Sequence, residues 1–448
     1  MQSKLITNRI HDKQLTGAAE PYVGKFWISQ IVAIGWLLFV IWLSQPWIHQ
    51  LSQSTGMIAA YMIIAGIAYL PGYISAFTLT SLLMDKKAKL PTENPSIPIT
   101  ILIAARNEEM GIGETLEHIA RQEYSGLIKI ILIDNGSTDG TVEIARQTAE
   151  RMGLSLIILH EEIPGKHNAL NRGLKEVNTP YLITLDADTF LHPLAIRFLA
   201  AKLQSSSPDV HAVAGSLLVQ NNRGSFLARI QEWEYYLSIA SIKRMQSIYQ
   251  STLVAQGAFS IFRSNAVKAA GGWPDSIGED IVLTWKFFEN HGRVCFEPAA
   301  IAFTDVPESF VHLIRQRKRW ARGMIEALKQ VSPWKIQSPT RRYFTGLDLV
   351  VPYIDLAYTF IWIPGLVLCA FGYYGVVGPN AILVLPVTLI IFYLLNLYQN
   401  RLLGQLGIHQ KKSFVGLLGF IFLFQMIIAP VALSGYAEEI FKQKRVWK

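Results

Sequence analysis

Cysteine and charged residues are both scarce in this chain of 448 residues. Its two cysteines, Cys295 and Cys369, exclude a disulfide framework and a zinc cluster built from thiolates. Only 17% of the residues are charged, whereas 51% are hydrophobic. That balance is too apolar for a typical soluble protein, so the composition favours a membrane protein.

The excess of basic residues does not indicate a nucleic-acid partner. The net charge is +8, but much of it lies in short runs beside apolar windows, such as Lys86 and Lys87 or Lys411 and Lys412. Basic runs of this kind are typical of the cytosolic ends of membrane segments. Membrane topology therefore accounts for the charge, and we expect membrane lipids and no nucleic acid as partners.

Two apolar windows, about 26–48 and 57–84, precede a polar middle, and each is long enough to cross the hydrocarbon core of roughly 30 Å. The first window is too long for a removable signal and has no small-residue cleavage site, so we expect it to remain as an anchor. The connector 49–55 lacks Lys and Arg and is therefore expected outside. The polar middle, 85–342, is then cytosolic, as in a multi-pass protein of the bacterial inner membrane.

The C-terminal region, 343–448, contains about three further apolar windows, near 346–373, 381–398 and 413–436. Three full crossings would leave the basic C-terminus outside, against the positive-inside tendency. Either the tail breaks that rule or one window is re-entrant or interfacial. Asp348 and Asp355 share one face of the first of these windows, where they would line a polymer path, meet a partner subunit or lie at the interface.

The polar middle alternates apolar runs with helical patterns, as a doubly wound mixed sheet does. Ligands of such sheets bind at the carboxyl ends of the strands. The predicted strands are 99–104, 128–133, 154–159 and 181–185, and the predicted helices between them are 113–122 and 141–152. Two later amphipathic stretches, 223–246 and 310–320, fit either membrane-interface helices or helices packed on the sheet.

The most informative segment is Asp186-Ala187-Asp188, which ends an apolar strand. Carboxylates at positions i and i+2 of a strand end can face one hard cation, Mg²⁺ or Mn²⁺, that bridges the phosphates of a donor. Such a cation would assist departure of a nucleotide diphosphate. Capping of a strand or turn is the alternative explanation.

Polar residues also follow the earlier strands. Asp134, in Asp134-Asn135-Gly136-Ser137, suits a contact with a nucleotide, although a turn leading into a helix N-cap is equally consistent with the pattern. The segment 105–108, with Ala105, Asn107 and Glu108, has the same ambiguity. Lys166 lies on a flexible turn and would face phosphate, unless it is simply a solvated surface lysine.

Two later motifs suit the acceptor side of a transfer reaction. Asp280, in Gly278-Glu279-Asp280, could take a proton from an acceptor hydroxyl. Compensation of a helix dipole is the alternative for Glu279 and Asp280. The second motif is the segment 316–320, which begins with Gln316. Its Trp320 indole can stack on a sugar ring, and its Arg319 can bind pyrophosphate. Anchoring of the segment at the membrane interface is the alternative explanation.

In this order, the segments 105–108, 134–137, 186–188, 278–280 and 316–320 resemble those of processive membrane glycosyltransferases of family 2. The group includes cellulose, chitin, hyaluronan and poly-N-acetylglucosamine synthases. The segments 241–249 and 256–263 are most similar to the poly-β-1,6-N-acetylglucosamine synthases. The resemblance covers the cytosolic part and extends to apolar windows on both sides.

The resemblance implies an α/β GT-A fold, a Rossmann-like mixed sheet, joined to a transmembrane helical region. It also implies inverting, processive transfer of N-acetylglucosamine from UDP-N-acetylglucosamine to a growing polysaccharide that passes through the membrane, usually with a small membrane partner subunit. The roles it implies are donor contacts for Ala105, Asn107, Glu108, Asp134, Lys166 and Asp186, metal binding for Asp188, catalysis by Asp280 beside Glu279, and acceptor or pyrophosphate contacts for Gln316, Arg319 and Trp320.

Two positions depart from the family pattern. Gly278 stands where Thr is usual, and Asn135 stands where a second Asp is usual. The first departure affects how the acidic pair is positioned, and the second removes a nucleotide contact and weakens the assignment of Asp134. Neither touches Asp186, Asp188 or Asp280, so we expect activity.

Three other functions remain open from the sequence. A hyaluronan, chitin or cellulose-type synthase would share every motif. A transferase that adds one sugar to a lipid phosphate would need a similar domain and anchors, although Gln316, Arg319 and Trp320 argue for chain extension. A non-catalytic membrane scaffold is disfavoured by the intact acidic residues.

Overall fold

The computed structural model describes residues 22–85, 90–378, 384–409 and 412–442. The basic residues Lys86, Lys87, Lys89, Lys411, Lys444, Arg445 and Lys448 lie outside these ranges.

Four helices in the described part of the chain are long and apolar enough to cross a membrane, which makes the chain a membrane protein. They are α1 (Val23–Leu43), α3 (Met57–Leu83), α12 (Pro339–Ala370) and α14 (Phe414–Ile440). α1 ends earlier than the predicted 48, because Pro46 in the first turn of α2 (Gln45–Thr55) starts a new helix after Ser44.

The polar middle folds around one mixed sheet of eight strands, as the alternating pattern predicts. Its order is β3-β2-β1-β4-β7-β6-β8-β5, and β1 to β4 are parallel where they pair, whereas β7 is antiparallel to both β4 and β6. The strands are β1 (Ile99–Ala105), β2 (Ile128–Asp134), β3 (Leu156–His160), β4 (Tyr181–Asp186), β5 (Thr189–Leu191), β6 (Val210–Val219), β7 (Phe259–Arg263) and β8 (Arg293–Thr304).

Helices cover both faces of this sheet. The helices that cross between strands are α4 (Ile112–Ala120), α5 (Thr141–Met152), α6 (Lys166–Leu174), α7 (Ala195–Ser205), α9 (Ser264–Ala269) and α10 (Glu279–Glu289). Leu102, Ile131 and Leu182 belong to the core on one face, and Ile101, Ile130 and Ile183 to the core on the other, because successive strand residues alternate.

Two amphipathic helices connect the sheet to the apolar helices. α8 spans 226–248 and contains a π-helical turn, Glu234–Ile239, and α11 is Phe310–Gln330. α8 packs on β6 and β8, and both helices contact α14. Each helix therefore packs on protein, as one alternative predicts, and each also exposes large apolar side chains such as Phe226 and Phe310. The placement of these helices at a membrane interface stays a prediction.

The last two helices differ in how they meet the domain built on the sheet, residues 90–338. Val376, which precedes α13 (Val384–Gln405) in the chain, packs with Ile48 and Ile64. The other end of α13 lies against α8, where Gln399 donates to Tyr236 O at 3.1 Å. α14 touches α8 and α11 near its two ends. Trp233 of α8 donates to Ser413 O at 2.7 Å, and Glu438 accepts from Lys318 of α11 at 2.7 Å.

The intramembrane acids have different surroundings. Asp355 is buried and accepts from Tyr436 Oη at 2.8 Å and from Gln425 Nε2 at 3.3 Å, so it joins α12 to α14. Asp348 lies in a turn within α12 and is half-buried. The contacts of Asp355 favour a role in helix packing for that residue.

Candidate active site

The strands β1, β2 and β4 end at the same edge of the sheet. Ala105 pairs with Asp134, and Ala104 pairs with Asp186, so three predicted donor segments meet there. The side chain of Ala105 is buried, and its carbonyl oxygen accepts a hydrogen bond from Asn135 N at 2.9 Å. Ala105 therefore contributes to the shape of the site through its backbone. This edge is where a doubly wound sheet binds ligands.

Three carboxyl groups crowd this edge. Burial, and then the charge of Asp186, raise the pKa of Asp188 to about 6. Burial, and then the charges of Asp188 and Asp186, raise the pKa of Glu108 to about 7. Negative charges in a half-buried site repel one another, so the three carboxyl groups are stabilised when they bind a cation or protons.

Lys166 begins α6 and its ammonium group contacts the carboxylate of Asp186. Burial lowers its pKa, but the charges of Asp186 and Glu279 outweigh burial and raise the pKa above its usual range. Lys166 therefore lies between Asp186 at the strand edge and the acidic pair of α10, and its contact with donor phosphate stays a prediction.

The acidic pair lies in the first turn of α10. Asp280 Oδ1 accepts Ile281 N at 2.8 Å, and Oδ2 accepts Gly257 N at 3.3 Å. Burial, and then the charge of Asp280, raise the pKa of Glu279 to about 7. Two backbone N–H groups thus orient Asp280, and the raised pKa of Glu279 makes its carboxyl easier to protonate than a free glutamic acid.

The turn before this pair packs tightly on α11. Glu326 of α11 is buried and accepts Ile277 N at 2.6 Å and Gly278 N at 3.3 Å. A Cβ atom on Gly278 would lie 2.7 Å from the Cα of Gly323. The glycine found where the family usually has threonine therefore permits a closer approach of α11 to the acidic pair.

The loops after β1 and β2 are bonded to each other. Asn107 has a φ of 58°, its N–H donates to Ser137 Oγ at 3.0 Å, and its Oδ1 accepts Thr138 N at 2.8 Å. Asp134 accepts Ser137 N at 3.1 Å, and its other oxygen lies 3.2 Å from His160 Nδ1. These contacts shape the edge, and the donor roles of Asn107 and Asp134 remain predictions.

Asn135 has a structural task that an aspartate could not perform. Its Nδ2 donates to Glu161 O at 2.9 Å and to Ile163 O at 2.8 Å, and its Oδ1 accepts Gly165 N at 2.7 Å. The amide side chain thereby holds the loop that leads into Lys166. A carboxylate would offer only acceptors to the two carbonyls.

The motif of α11 lies beside the acidic pair. Arg319 is close enough for its charge to act on Glu279, and Trp320 is 41% exposed. Gln316 Oε1 is buried without a hydrogen-bond partner in the structure. A buried acceptor without a donor is uncommon in a folded protein.

The residues at the edge fit a shared cation better than a closed metal site. Within the described ranges, no three His, Cys, Asp or Glu side chains are arranged to hold an ion on their own. Asp186 and Asp188 supply hard oxygen ligands, and the phosphates of a donor would have to supply the others.

Sequence reasoning missed Glu326 and two further charges that meet in the interior. Arg317 and Glu234 form a buried ion pair, with Nη2 of Arg317 2.6 Å from Oε2 of Glu234. Glu326 lies two helical turns after Arg319, and that spacing was the available signal for it. No local pattern pairs Glu234 with a residue so distant in sequence.

The chain belongs to the family described as glycosyltransferase like family 2, whose model matches residues 95–323. It is therefore a glycosyltransferase, as the motif order predicts.

Named relatives and a solved structure agree with this class. The chain is 36% identical over 231 residues to a poly-beta-1,6-N-acetyl-D-glucosamine synthase of Staphylococcus aureus (strain COL), across 51% of this chain and 55% of that protein. It is 33% identical over 270 residues to the synthase of the same name from Staphylococcus epidermidis, across 60% of this chain and 65% of that protein. The chain thus spans about half the length of the Staphylococcus aureus relatives that it matches.

A mannosyltransferase from Pyrobaculum calidifontis, solved with GDP-Man and Mn²⁺, has a similar fold. The TM-score is 0.59 at 19% identity, and the match covers 86% of this chain and 99% of that chain. The expected GT-A fold is confirmed by this similarity and by the mixed sheet.

Proposed function

We propose that the chain is an inverting, processive N-acetylglucosaminyltransferase that extends a β-linked polymer, in the β-1,6 linkage, and passes it across the membrane. The main support is the position of the acidic pair between the donor edge and α11, since Lys166 contacts Asp186 and its pKa is influenced by Glu279 and Asp280. The names of the Staphylococcus relatives support the choice of sugar and linkage.

In this mechanism Asp280 accepts the proton of the acceptor hydroxyl while that oxygen attacks the anomeric carbon from the face opposite the nucleotide. Attack from that face inverts the configuration. Lys166 and Arg319 offset the negative charge that develops on the departing UDP. A bound Mg²⁺ or Mn²⁺, held by Asp188 with Asp186 near the nucleotide, would supply Lewis-acid stabilisation of that leaving group.

The catalytic domain is proposed to face the cytosol, where UDP-sugars are available. The connector that follows α1 lacks Lys and Arg, and Lys86 and Lys87 follow α3. A small membrane partner subunit is proposed only from the family resemblance. Synthesis that is equally fast with and without the neighbouring small membrane proteins of the producing bacterium would exclude it.

Product analysis tests the enzymatic proposal. Membranes containing the chain, given labelled UDP-N-acetylglucosamine with Mn²⁺ or Mg²⁺, should release UDP and form a polymer that a β-1,6-specific hydrolase degrades. Asp280→Asn and Asp188→Ala should each abolish the polymer, whereas Glu289→Gln at the exposed far end of α10 should not. Cellulose, chitin or hyaluronan as the product would refute the sugar or linkage, and one sugar per lipid would refute processivity.

A further inference from the structure

Arg317 carries a buried charge that the proposed mechanism does not use. Its side chain is 4% exposed, and its guanidinium donates to both oxygens of Glu234, at 2.8 Å from Nη1 and 2.6 Å from Nη2. A buried charge requires a partner, and two parallel bonds fix the plane of the guanidinium as well as its position.

The same guanidinium lies over the indole ring of Trp320. The central carbon of Arg317 is 4.0 Å from the ring centroid, well within the range of a cation–π contact. Because Trp320 is 41% exposed, the guanidinium supports one part of the indole while another part stays open to a ligand.

Three helices meet at this one side chain. Glu234 is the first residue of the π-helical turn in α8, and Phe424, whose ring centroid lies 5.7 Å from the guanidinium, ends the π-helical turn Phe420–Phe424 in α14. π-helical turns are rare and are often found at functional sites. Arg317 therefore connects the tryptophan of α11 to both helices that flank it.

We propose that Arg317 is a positioning residue that fixes the indole of Trp320 as the platform for the terminal sugar of the acceptor. The inference rests on the proposed function, because it assigns an oligosaccharide acceptor to that surface. Arg317 does not touch the substrate, and its effect is transmitted through the plane of the indole.

Arg317→Lys tests this role, since lysine keeps the charge but loses the two parallel bonds and the flat stacking surface. We expect the KM for an oligosaccharide of β-1,6-linked N-acetylglucosamine to rise about tenfold. The KM for UDP-N-acetylglucosamine and its slow hydrolysis without acceptor should stay unchanged. Arg315→Lys, on the exposed face of the same helix, is the matched control and should leave both reactions unchanged.

The double variant Glu234→Arg with Arg317→Glu separates positioning from simple ion pairing. It restores opposite charges but moves the guanidinium to α8, so the acceptor defect should persist. Recovery of the acceptor KM by this swap would overturn the inference. An equal loss of donor hydrolysis and acceptor transfer in Arg317→Lys would also overturn it, because that result indicates general damage to the fold.

A spectroscopic measurement distinguishes this inference from the enzymatic proposal. In chain labelled with 5-fluorotryptophan, the fluorine signal of Trp320, assigned with Trp320→Phe, should shift or broaden in Arg317→Lys and not in Arg315→Lys. An unchanged signal refutes the positioning role even if polymer is made. If the signal changes but the enzyme transfers sugar to no oligosaccharide, the contact between Arg317 and Trp320 is supported. The proposed function, and with it the oligosaccharide as acceptor, is then refuted.

Discussion

Asn135 illustrates how one amide group determines the shape of a loop in the site. Aspartate at this position would place a carboxylate against the carbonyl oxygens of Glu161 and Ile163, which now accept from Nδ2. We expect Asn135→Asp to lower the free energy of unfolding by about 1–3 kcal/mol and to raise the KM for the donor, because the loop positions Lys166. Thermal unfolding and donor kinetics measure both effects.

Asn168→Asp is the matched control for that change. Asn168 makes one exposed hydrogen bond, from Nδ2 to Pro164 O at 3.2 Å, so its substitution should have little effect. Equal stability of Asn135→Asp and the native chain would show that the loop does not depend on the amide.

The raised pKa of Glu279 predicts a pH-dependent effect on stability. Burial and Asp280 raise this pKa from 4.5 to about 7, so the folded chain keeps a proton that the unfolded chain loses. The cost of Glu279 to stability therefore grows as the pH rises from 4.5 towards 7 and is largest above 7. We expect Glu279→Gln to raise the Tm more at pH 8 than at pH 5.

The comparison should be made with Glu289→Gln, at the exposed end of α10, whose effect on the Tm should not change over this range. A stabilisation by Glu279→Gln that is the same at both pH values would contradict the assignment of the proton to Glu279.

At the scale of elements, the contacts of the last two helices predict which of them crosses the membrane. Val376, shortly before α13, packs near Ile48, and Gln399 near the end of α13 contacts α8, whereas α14 contacts α8 and α11 of the catalytic domain near its two ends. We therefore expect α13 to cross the membrane and α14 to lie along the membrane surface on the side of the catalytic domain. Length and composition alone favour the opposite assignment, because α14 is a candidate span and α13 is not. The basic C-terminus would then be cytosolic, in line with the positive-inside rule.

Labelling of cysteines introduced one at a time into a Cys295→Ser, Cys369→Ser background, which removes both native cysteines, with an impermeant maleimide tests this arrangement. Gly375→Cys should react from outside, whereas His409→Cys and Lys442→Cys should react only after the membrane is opened. Reaction of His409→Cys from outside would show that α13 does not cross, and reaction of Lys442→Cys from outside would show that α14 does.

The elements differ in how far the sequence predicts them. The strands β1 to β4 and the helix α5 follow from continuous apolar runs and helical periodicity, and their structural bounds lie within two residues of the prediction. The break between α1 and α2 depends on Pro46, which a hydropathy window averages away. The site residues on separate strands were predictable because strand ends meet at one edge, whereas the pairs Arg317–Glu234 and Glu326–Gly278 arise from packing between distant helices.

At the scale of the whole molecule, the catalytic domain and the membrane helices share one hydrophobic core. Tyr249 at the end of α8 packs against Phe26 of α1 and Phe77 of α3, with ring centroids 5.6 Å and 5.8 Å apart. Its hydroxyl also lies 2.7 Å from Ser81 Oγ. The domain boundary in the sequence is therefore not a boundary in packing.

A truncated chain of residues 90–338 should consequently be unstable, because it exposes Tyr249 and the apolar residues around it. We expect aggregation on size-exclusion chromatography and no cooperative thermal transition, in contrast to the full chain in nanodiscs. A monodisperse truncated domain that unfolds cooperatively within a few degrees of the full chain would contradict the shared core.

The shared core also has an evolutionary consequence. Because Phe26, Phe77 and Tyr249 complete one another, a mutation at any of them can be tolerated only if the other two accommodate it. The first two apolar helices and the catalytic domain should thus be inherited together, and chimeras that join the catalytic domain to helices from another synthase should need exchange of all three aromatic positions.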